Sequence, residues 1–134
     1  MVLPATLSKR ERLHSRKLID TLFNGNKSKA TTVFPVRAVF MPLEDDMPSQ
    51  LLISVPKRHF KRAVKRNRIK RLVREAYRRN KVLLDGKHIA LAFIWMSNSI
   101  PSAQEVERKI VALLHRISEQ TDAREQSHDP ITLI

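Results

Sequence analysis

Residues 55–81 have the sequence VPKRHFKRAVKRNRIKRLVREAYRRNK and carry almost all of the excess positive charge of this 134-residue chain. Residues 57–81 contain thirteen Lys and Arg and one acid, Glu75, which gives +12 of the chain's formal net charge of +13. A block of like charge is usually a disordered tail or a solvated surface. The organisation of the whole chain therefore depends on whether this segment is folded.

An apolar stripe runs through the basic segment at helical spacing. Five apolar residues fall at i, i+3, i+4, i+7 and i+8 and so share one face of a helix. They are Ile69, Leu72, Val73, Ala76 and Tyr77. A disordered tail has no reason to keep such a stripe in register. We therefore predict a helix around residues 63–80 that packs on a sheet through this stripe.

A polar row lies on the opposite face of the predicted helix, within an arc of about 60°. It consists of Asn67, Arg71, Arg74 and Arg78. Arginines one turn apart repel each other, with relief only from pairs such as Glu75 with Arg71 or Arg79. A purely structural role is therefore disfavoured. Guanidinium groups match phosphate oxygens in a bidentate manner, and Asn can bond to a base edge, a phosphate or a ribose hydroxyl. The row predicts a nucleic-acid-binding face.

The residues before the basic segment predict a helix and two strands. The helix has two possible starts, a capping box at Ser8 and Glu11 or Ser15, and a stop signal at residues 24–25. Residues 32–41 alternate as a strand does, and Pro35 predicts an edge position or a strand that begins after it. Residues 50–55 predict a second strand, antiparallel to the first.

The residues after the basic segment predict a central strand and a last helix. Residues 88–95 are almost continuously apolar, which is typical of a strand covered on both faces. Ser102 and Glu105 have the spacing of a second capping box. The helical stripe that follows consists of Val106, Ile110, Leu113, Leu114 and Ile117. The period is lost from about residue 118.

The order of these elements predicts an α+β sandwich with helices packed on a small mixed sheet, in the order α-β-β-(β)-α-β-α. The length is that of one ordinary domain. We predict one domain over residues 1–120 and a flexible tail over residues 121–134.

Composition excludes several classes of function. The chain has no cysteine, so disulfides, thiolate metal sites and cysteine nucleophiles are absent. Its five histidines lack metal-ligand spacing, and no nucleophile–base pair or Gly-rich phosphate loop is present. No apolar run approaches the length of a signal peptide or a membrane span. We expect a soluble, cytoplasmic protein with no catalytic residues, no metal site and no membrane partner. The sequence pI of about 10.9 predicts a nucleic-acid partner.

The segment KRAVKRNRIKRLVREAYR, residues 61–78, resembles the signature of the bacterial ribonuclease P protein subunit. The hallmark is Arg66-Asn67-Arg68, and the match continues through Ile69, Lys70, Arg71, Arg74 and Glu75. The resemblance spans most of the chain, from ERL at residues 11–13 to the last helix. It implies a left-handed crossover between the second strand and the central one, although parallel strands are usually connected in the right-handed sense.

The resemblance also implies partners and site residues. The catalytic RNA subunit of ribonuclease P would be contacted by the signature helix and by a basic pair that follows the second strand. These residues are Lys57, Arg58, Arg66, Asn67, Arg68, Lys70, Arg71 and Arg74, to which the polar row adds Arg78. A cleft between the sheet and the last helix would hold the 5′ leader of precursor tRNA, with Phe23, Phe34 and Arg37 as its residues. RNA-bound Mg²⁺ would supply the chemistry, and the free protein would be a monomer.

Several positions depart from the family pattern. Phe60 stands where a Gly is common, which leaves the conformation of residues 59–62 open. Two cleft aromatics are replaced, by Ile19 and Arg37, so leader binding is expected to depend more on charge and less on stacking. Phe34, Phe40, Phe93 and Trp95 are more typical of core residues than of stacking platforms.

The composition of the chain is also compatible with two rival functions. One is a non-enzymatic RNA-binding protein, such as a ribosomal protein or an RNA chaperone, on a similar core. The other is a DNA-binding helix-turn-helix protein, which is disfavoured because the basic helix lies between two strands. The RNA that co-purifies with the protein discriminates among these functions.

Overall fold

The computed structural model describes residues 7–127 and shows an α+β fold of three helices and four strands. The helices are α1 (Arg16–Asn24), α2 (Ala63–Asn80) and α3 (Ala103–Ser127). The strands are β1 (Lys29–Val33), β2 (Val36–Pro42), β3 (Gln50–Ser54) and β4 (Ile89–Trp95). Short 3₁₀ turns lie at Lys9–Glu11 and Lys81–Leu84. The predicted fold class is confirmed.

The four strands form one mixed sheet in the order β1-β2-β4-β3. β4 lies in the interior of the sheet, antiparallel to β2 and parallel to β3. The prediction of a central strand at residues 88–95 is confirmed, since most of β4 is buried. β3 and β4 are thus parallel neighbours connected through α2. The left-handed sense of this crossover stays a prediction.

The two faces of the sheet are covered by different helices. On one face, α2 and α3 pack against alternate residues of the strands. This cluster contains the predicted stripes of both helices, with Leu72 only partly buried and the others buried. On the other face, Leu22 of the shorter α1 packs with Val39, Met41, Ala90 and Ala92. The basic helix is therefore anchored through its apolar stripe, as predicted.

The prediction for residues 32–41 was incomplete. A hairpin occupies this region, with β1 before Phe34-Pro35 and β2 after it, and the peptide bond between Phe34 and Pro35 is cis. The expectation that a strand begins after Pro35 is confirmed. β1 forms the edge, and its largely exposed, polar sequence KATTV does not alternate as a half-buried strand does.

Both predicted start signals of the first helix are used, but for different elements. Ser15 caps α1, with its hydroxyl accepting a hydrogen bond from the Leu18 N–H at 3.3 Å. Ser8 and Glu11 flank the first 3₁₀ turn, where the Ser8 N–H donates to Glu11 Oε1 at 3.1 Å. The chain between these two starts runs along β3, and the Leu13 N–H donates to the Leu51 carbonyl at 2.9 Å.

The last helix is longer than its apolar period indicates. α3 continues to Ser127, beyond the residue at which its apolar period is lost and into the predicted tail. Alternation of charged and polar residues breaks the apolar stripe there without breaking the helix. The rest of the predicted tail, residues 128–134, lies outside the described residues, and the domain boundary at residue 120 stays a prediction.

Candidate nucleic-acid interface

The side of α2 that faces away from the sheet presents polar and basic side chains, most of them exposed. Asn67, Arg68, Arg71 and Arg74 are exposed, and Lys70 is half-buried. They lie there because the apolar stripe fixes the rotation of the helix about its axis. Like charges one turn apart favour a bound polyanion that neutralises them. These five predicted RNA contacts therefore lie along one helix, as the sequence predicts.

Arg66 has a second, structural role that the sequence pattern does not reveal. Its Nη1 donates to the carbonyl oxygens of Phe60 at 2.7 Å and Lys61 at 2.8 Å. Phe60 itself is buried in the core below α2. Arg66 thus fixes the loop that enters the signature helix.

The loop before α2 closes without the glycine that the family pattern contains. The His59 N–H donates to the Pro56 carbonyl at 3.1 Å, and between residues 7 and 127 only a glycine, Gly86, has positive φ. The buried Phe60 ring and the Arg66 hydrogen bonds replace the glycine turn. Lys57 and Arg58 are exposed on this loop, and His59 Nδ1 lies 2.7 Å from Asn98 Oδ1 of the loop after β4.

The C-terminal end of α2 is partly neutralised. Glu75 forms a bidentate ion pair with Arg78, whose Nε donates to Glu75 Oε2 at 2.9 Å, and it lies 3.5 Å from Arg79 Nε. The hydrogen bond from Arg78 lowers the pKa of Glu75, so the carboxylate stays ionised. The predicted partner Arg71 is replaced by Arg78. Arg78 is therefore less available to a phosphate than Arg71 or Arg74.

The three predicted leader-cleft residues lie at the other face and at the end of the sheet. Arg37 is exposed on β2, on the same face as Val39 and Met41, which α1 covers. Phe23 belongs to α1 and is 43% exposed, and Phe34 in the β1–β2 turn is 63% exposed. Of the four aromatics interpreted as core, Phe40, Phe93 and Trp95 are buried and Phe34 is not.

Arg37 and Phe23 do not lie between the sheet and α3, where the leader cleft was predicted. α3 packs through its apolar stripe on the face that carries α2. Arg37 and Phe23 belong to the α1 side instead. The position of the leader site and the assignment of these residues to it stay predictions.

Residues 7–15, the N-terminal segment before α1, contribute basic residues that the sequence motifs did not indicate. Lys9 and Arg12 line an open groove together with Lys70 and Arg74 of α2. The sequence signal is the cluster KRER at residues 9–12. Its proximity to α2 depends on the pairing of the segment with β3, which the sequence pattern does not specify.

Residues 7–127 contain neither a cluster of metal ligands nor a helix that could span a membrane. Within this part of the chain, no three His, Cys, Asp or Glu side chains are grouped so as to hold a metal ion. No helix there is long and apolar enough to cross a membrane.

A basic helix anchored on a small mixed sheet defines an α+β protein with a candidate nucleic-acid-binding face. A family model described as Ribonuclease P matches residues 7–118. The chain therefore belongs to the ribonuclease P protein family.

Individual relatives agree with this assignment. The ribonuclease P protein component of Porphyromonas gingivalis is 44% identical over 128 residues, which cover 88% of this chain and 92% of the relative. The ribonuclease P protein component of Chlorobium phaeobacteroides is 33% identical over 134 residues, which cover 87% of this chain and 92% of the relative. The solved RNase P protein from Thermotoga maritima has a TM-score of 0.67 at 28% identity and covers 79% of this chain and 96% of its own. An RNase P protein from Staphylococcus aureus, at 17% identity, shares the fold with a TM-score of 0.66.

Proposed function

We propose that this chain is the protein component of ribonuclease P and assists a catalytic RNA subunit in removing the 5′ leader from precursor tRNA. The observation that carries the proposal is the exposed row of Asn67, Arg71 and Arg74 on α2, on a domain of the matching family. Such a row suits a line of phosphates, because each guanidinium can form two charge-assisted hydrogen bonds. The protein would work in the cytoplasm, as a monomer when free of RNA.

The protein's contribution to the reaction is binding and positioning. α2 and the loop with Lys57 and Arg58 would dock on the RNA subunit, and the α1 side of the sheet, with Phe23 and Arg37, would hold the leader. The two surfaces belong to opposite faces of one sheet, so one small domain can hold the leader beside the RNA. Hydrolysis of the phosphodiester would belong to the RNA and to the Mg²⁺ ions that it binds.

Reconstitution with purified components tests this assignment. Cleavage of precursor tRNA is measured with the protein alone, the RNA subunit alone and the two together. We expect no cleavage by the protein alone, weak cleavage by the RNA alone at high Mg²⁺, and faster cleavage at low Mg²⁺ when both are present. Cleavage at the mature 5′ end by the protein alone would contradict the proposal.

The RNA that co-purifies with the protein tests the rival function. A structured RNA of several hundred nucleotides that cleaves precursor tRNA supports ribonuclease P. Recovery of ribosomal RNA alone would favour a ribosomal protein or an RNA chaperone.

A further inference from the structure

A groove of about 590 Å³ lies between the N-terminal segment, β3 and α2, and we call it the N-terminal groove. Its floor is apolar and includes Leu7, Leu51 and Ile53. Its rim carries Lys9 and Arg12 on one side and Lys70 and Arg74 on the other. The volume is in the range of about 300–1,000 Å³ that is typical of sites for small organic groups.

The N-terminal wall of the groove is fixed by contacts on its other side. Arg12 forms a parallel bridge with Leu51, and the Leu13 N–H donates to the Leu51 carbonyl at 2.9 Å. Glu11 turns away from the groove and accepts a hydrogen bond from Lys81 Nζ at 2.8 Å. Burial raises the pKa of Glu11, but the contacts with Lys81 and Ser8 outweigh burial and leave this pKa lowered. The ion pair therefore persists at neutral pH and holds the wall in place.

The rim of the groove is complementary to a polyanion. Among residues 7–127, four Lys and Arg side chains and His14 line the groove, and no acidic residue does. The cations come from two elements that are distant in the sequence, so they surround the opening. An apolar floor inside a cationic rim matches a group that is apolar on its faces and anionic at its ends.

The floor also offers backbone hydrogen-bonding groups, because β3 is an edge strand of the sheet. The Leu51 carbonyl points outward, where it accepts from Leu13. Backbone groups of a strand alternate in direction, so the N–H and C=O of Ile53 point to the same outer side. The N-terminal segment forms its parallel bridge with β3 at Leu51. The strand edge at Ile53 lies next to the groove. A donor and an acceptor next to each other suit the edge of a nucleobase.

We propose that the N-terminal groove holds one unpaired nucleotide of the RNA subunit. The base lies on Leu51 and Ile53, its edge meets the Ile53 backbone, and its flanking phosphates lie between Arg12 and Arg74. This inference rests on the proposed function. The RNA subunit is the source, rather than the precursor leader, because Arg74 belongs to the cationic row of α2.

Affinity measurements with two neighbouring arginine variants test the groove. Arg12→Ala removes a rim cation, and the side chain is exposed, so the fold is kept. Arg10→Ala is the matched control, since Arg10 is exposed beside the groove but does not line it. For binding of the full-length protein to the RNA subunit, we expect about a tenfold loss for Arg12→Ala and less than a twofold loss for Arg10→Ala. Equal losses of affinity for the two variants would contradict the proposed role of the groove in RNA binding.

A variant on α2 separates failure of the groove from failure of the proposed function. If Arg71→Ala weakens binding of the RNA subunit and Arg12→Ala does not, only the groove is wrong. If neither variant weakens binding, the proposed function itself fails.

Crosslinking identifies the occupant of the groove. Because the chain has no cysteine, Lys9→Cys carries a photo-reactive group at a single position on the rim, and Arg10→Cys serves as control. In the complex of protein, RNA subunit and precursor tRNA, we expect Lys9→Cys to crosslink to an unpaired nucleotide of the RNA subunit more strongly than the control does. Crosslinks to the precursor leader or to a base-paired stem would overturn the proposal. A crosslinking yield equal to that of the control would also overturn it.

Discussion

Arg66 and Arg71 lie on the same helix and belong to the same sequence signature, but their surroundings differ. Arg66 Nη1 bonds to the carbonyl oxygens of Phe60 and Lys61, whereas Arg71 is exposed. Removing Arg66 leaves two carbonyl groups without their donor. We expect Arg66→Ala to lower the free energy of unfolding by about 1–2 kcal/mol, and Arg71→Ala to leave it unchanged. Thermal unfolding of the two variants without RNA measures this difference, and equal melting temperatures would contradict the role given to Arg66.

Tyr77 is the single tyrosine of the chain and lies in the core with only 3% of its surface exposed. Burial, followed by the charge of Glu11, raises the pKa of Tyr77 to about 12. An unfolded tyrosine ionises near pH 10, so the unfolded state loses its proton first and stability falls between about pH 10 and 12. We expect Tyr77→Phe to remove that part of the fall, because the ring and its edge contact with Phe93 are retained. Denaturant unfolding of both proteins from pH 9 to 12 measures the free energy of unfolding against pH. Parallel curves for the two proteins would contradict the role given to Tyr77.

At the scale of single elements, α2 was predictable because two signals agree. The apolar stripe fixes the buried face, the polar row marks the opposite one, and the helix spans Ala63–Asn80 as predicted. β1 was missed because its polar residues lie at an exposed edge, where no burial imposes alternation. The pairing of the N-terminal segment with β3, and with it the N-terminal groove, depends on backbone hydrogen bonds that leave no pattern in the side chains.

On α2, the residues expected to bind RNA are different from those that stabilise the fold. Arg71 and Arg74 are exposed and take no part in the core. We expect Arg71→Ala and Arg74→Ala each to weaken assembly with the RNA subunit by about 1–3 kcal/mol, as charge-assisted contacts do, without a change in melting temperature. A loss of folded protein in step with a loss of binding would contradict this separation. Arg108→Ala, on the exposed side of α3, is a control for a general loss of charge.

At the scale of the whole molecule, the concentration of charge in one segment predicts a strong dependence of binding on salt. If about five or six basic residues contact phosphates, the slope of log affinity against log salt concentration is about −4 to −5. Folding relies on the apolar clusters at the two faces of the sheet and is expected to be insensitive over the same range. Affinity titrations and circular dichroism at matched salt concentrations test this, and parallel loss of both signals would refute it.

The sheet separates the two proposed binding surfaces, so substitutions on its two sides should have different effects. Arg37 is exposed on the α1 side and is absent from the core clusters, which makes it a cleaner test than the half-exposed Phe23. We expect Arg37→Ala to leave RNA-subunit affinity unchanged and to weaken binding of precursor tRNA relative to mature tRNA, because only the precursor carries a leader. Arg71→Ala should do the reverse. Affinities of the assembled enzyme for both tRNAs, measured at saturating protein, distinguish the effects. Equal weakening for precursor and mature tRNA by Arg37→Ala would remove this residue from the leader site and leave the α1 side of the sheet without an assigned ligand.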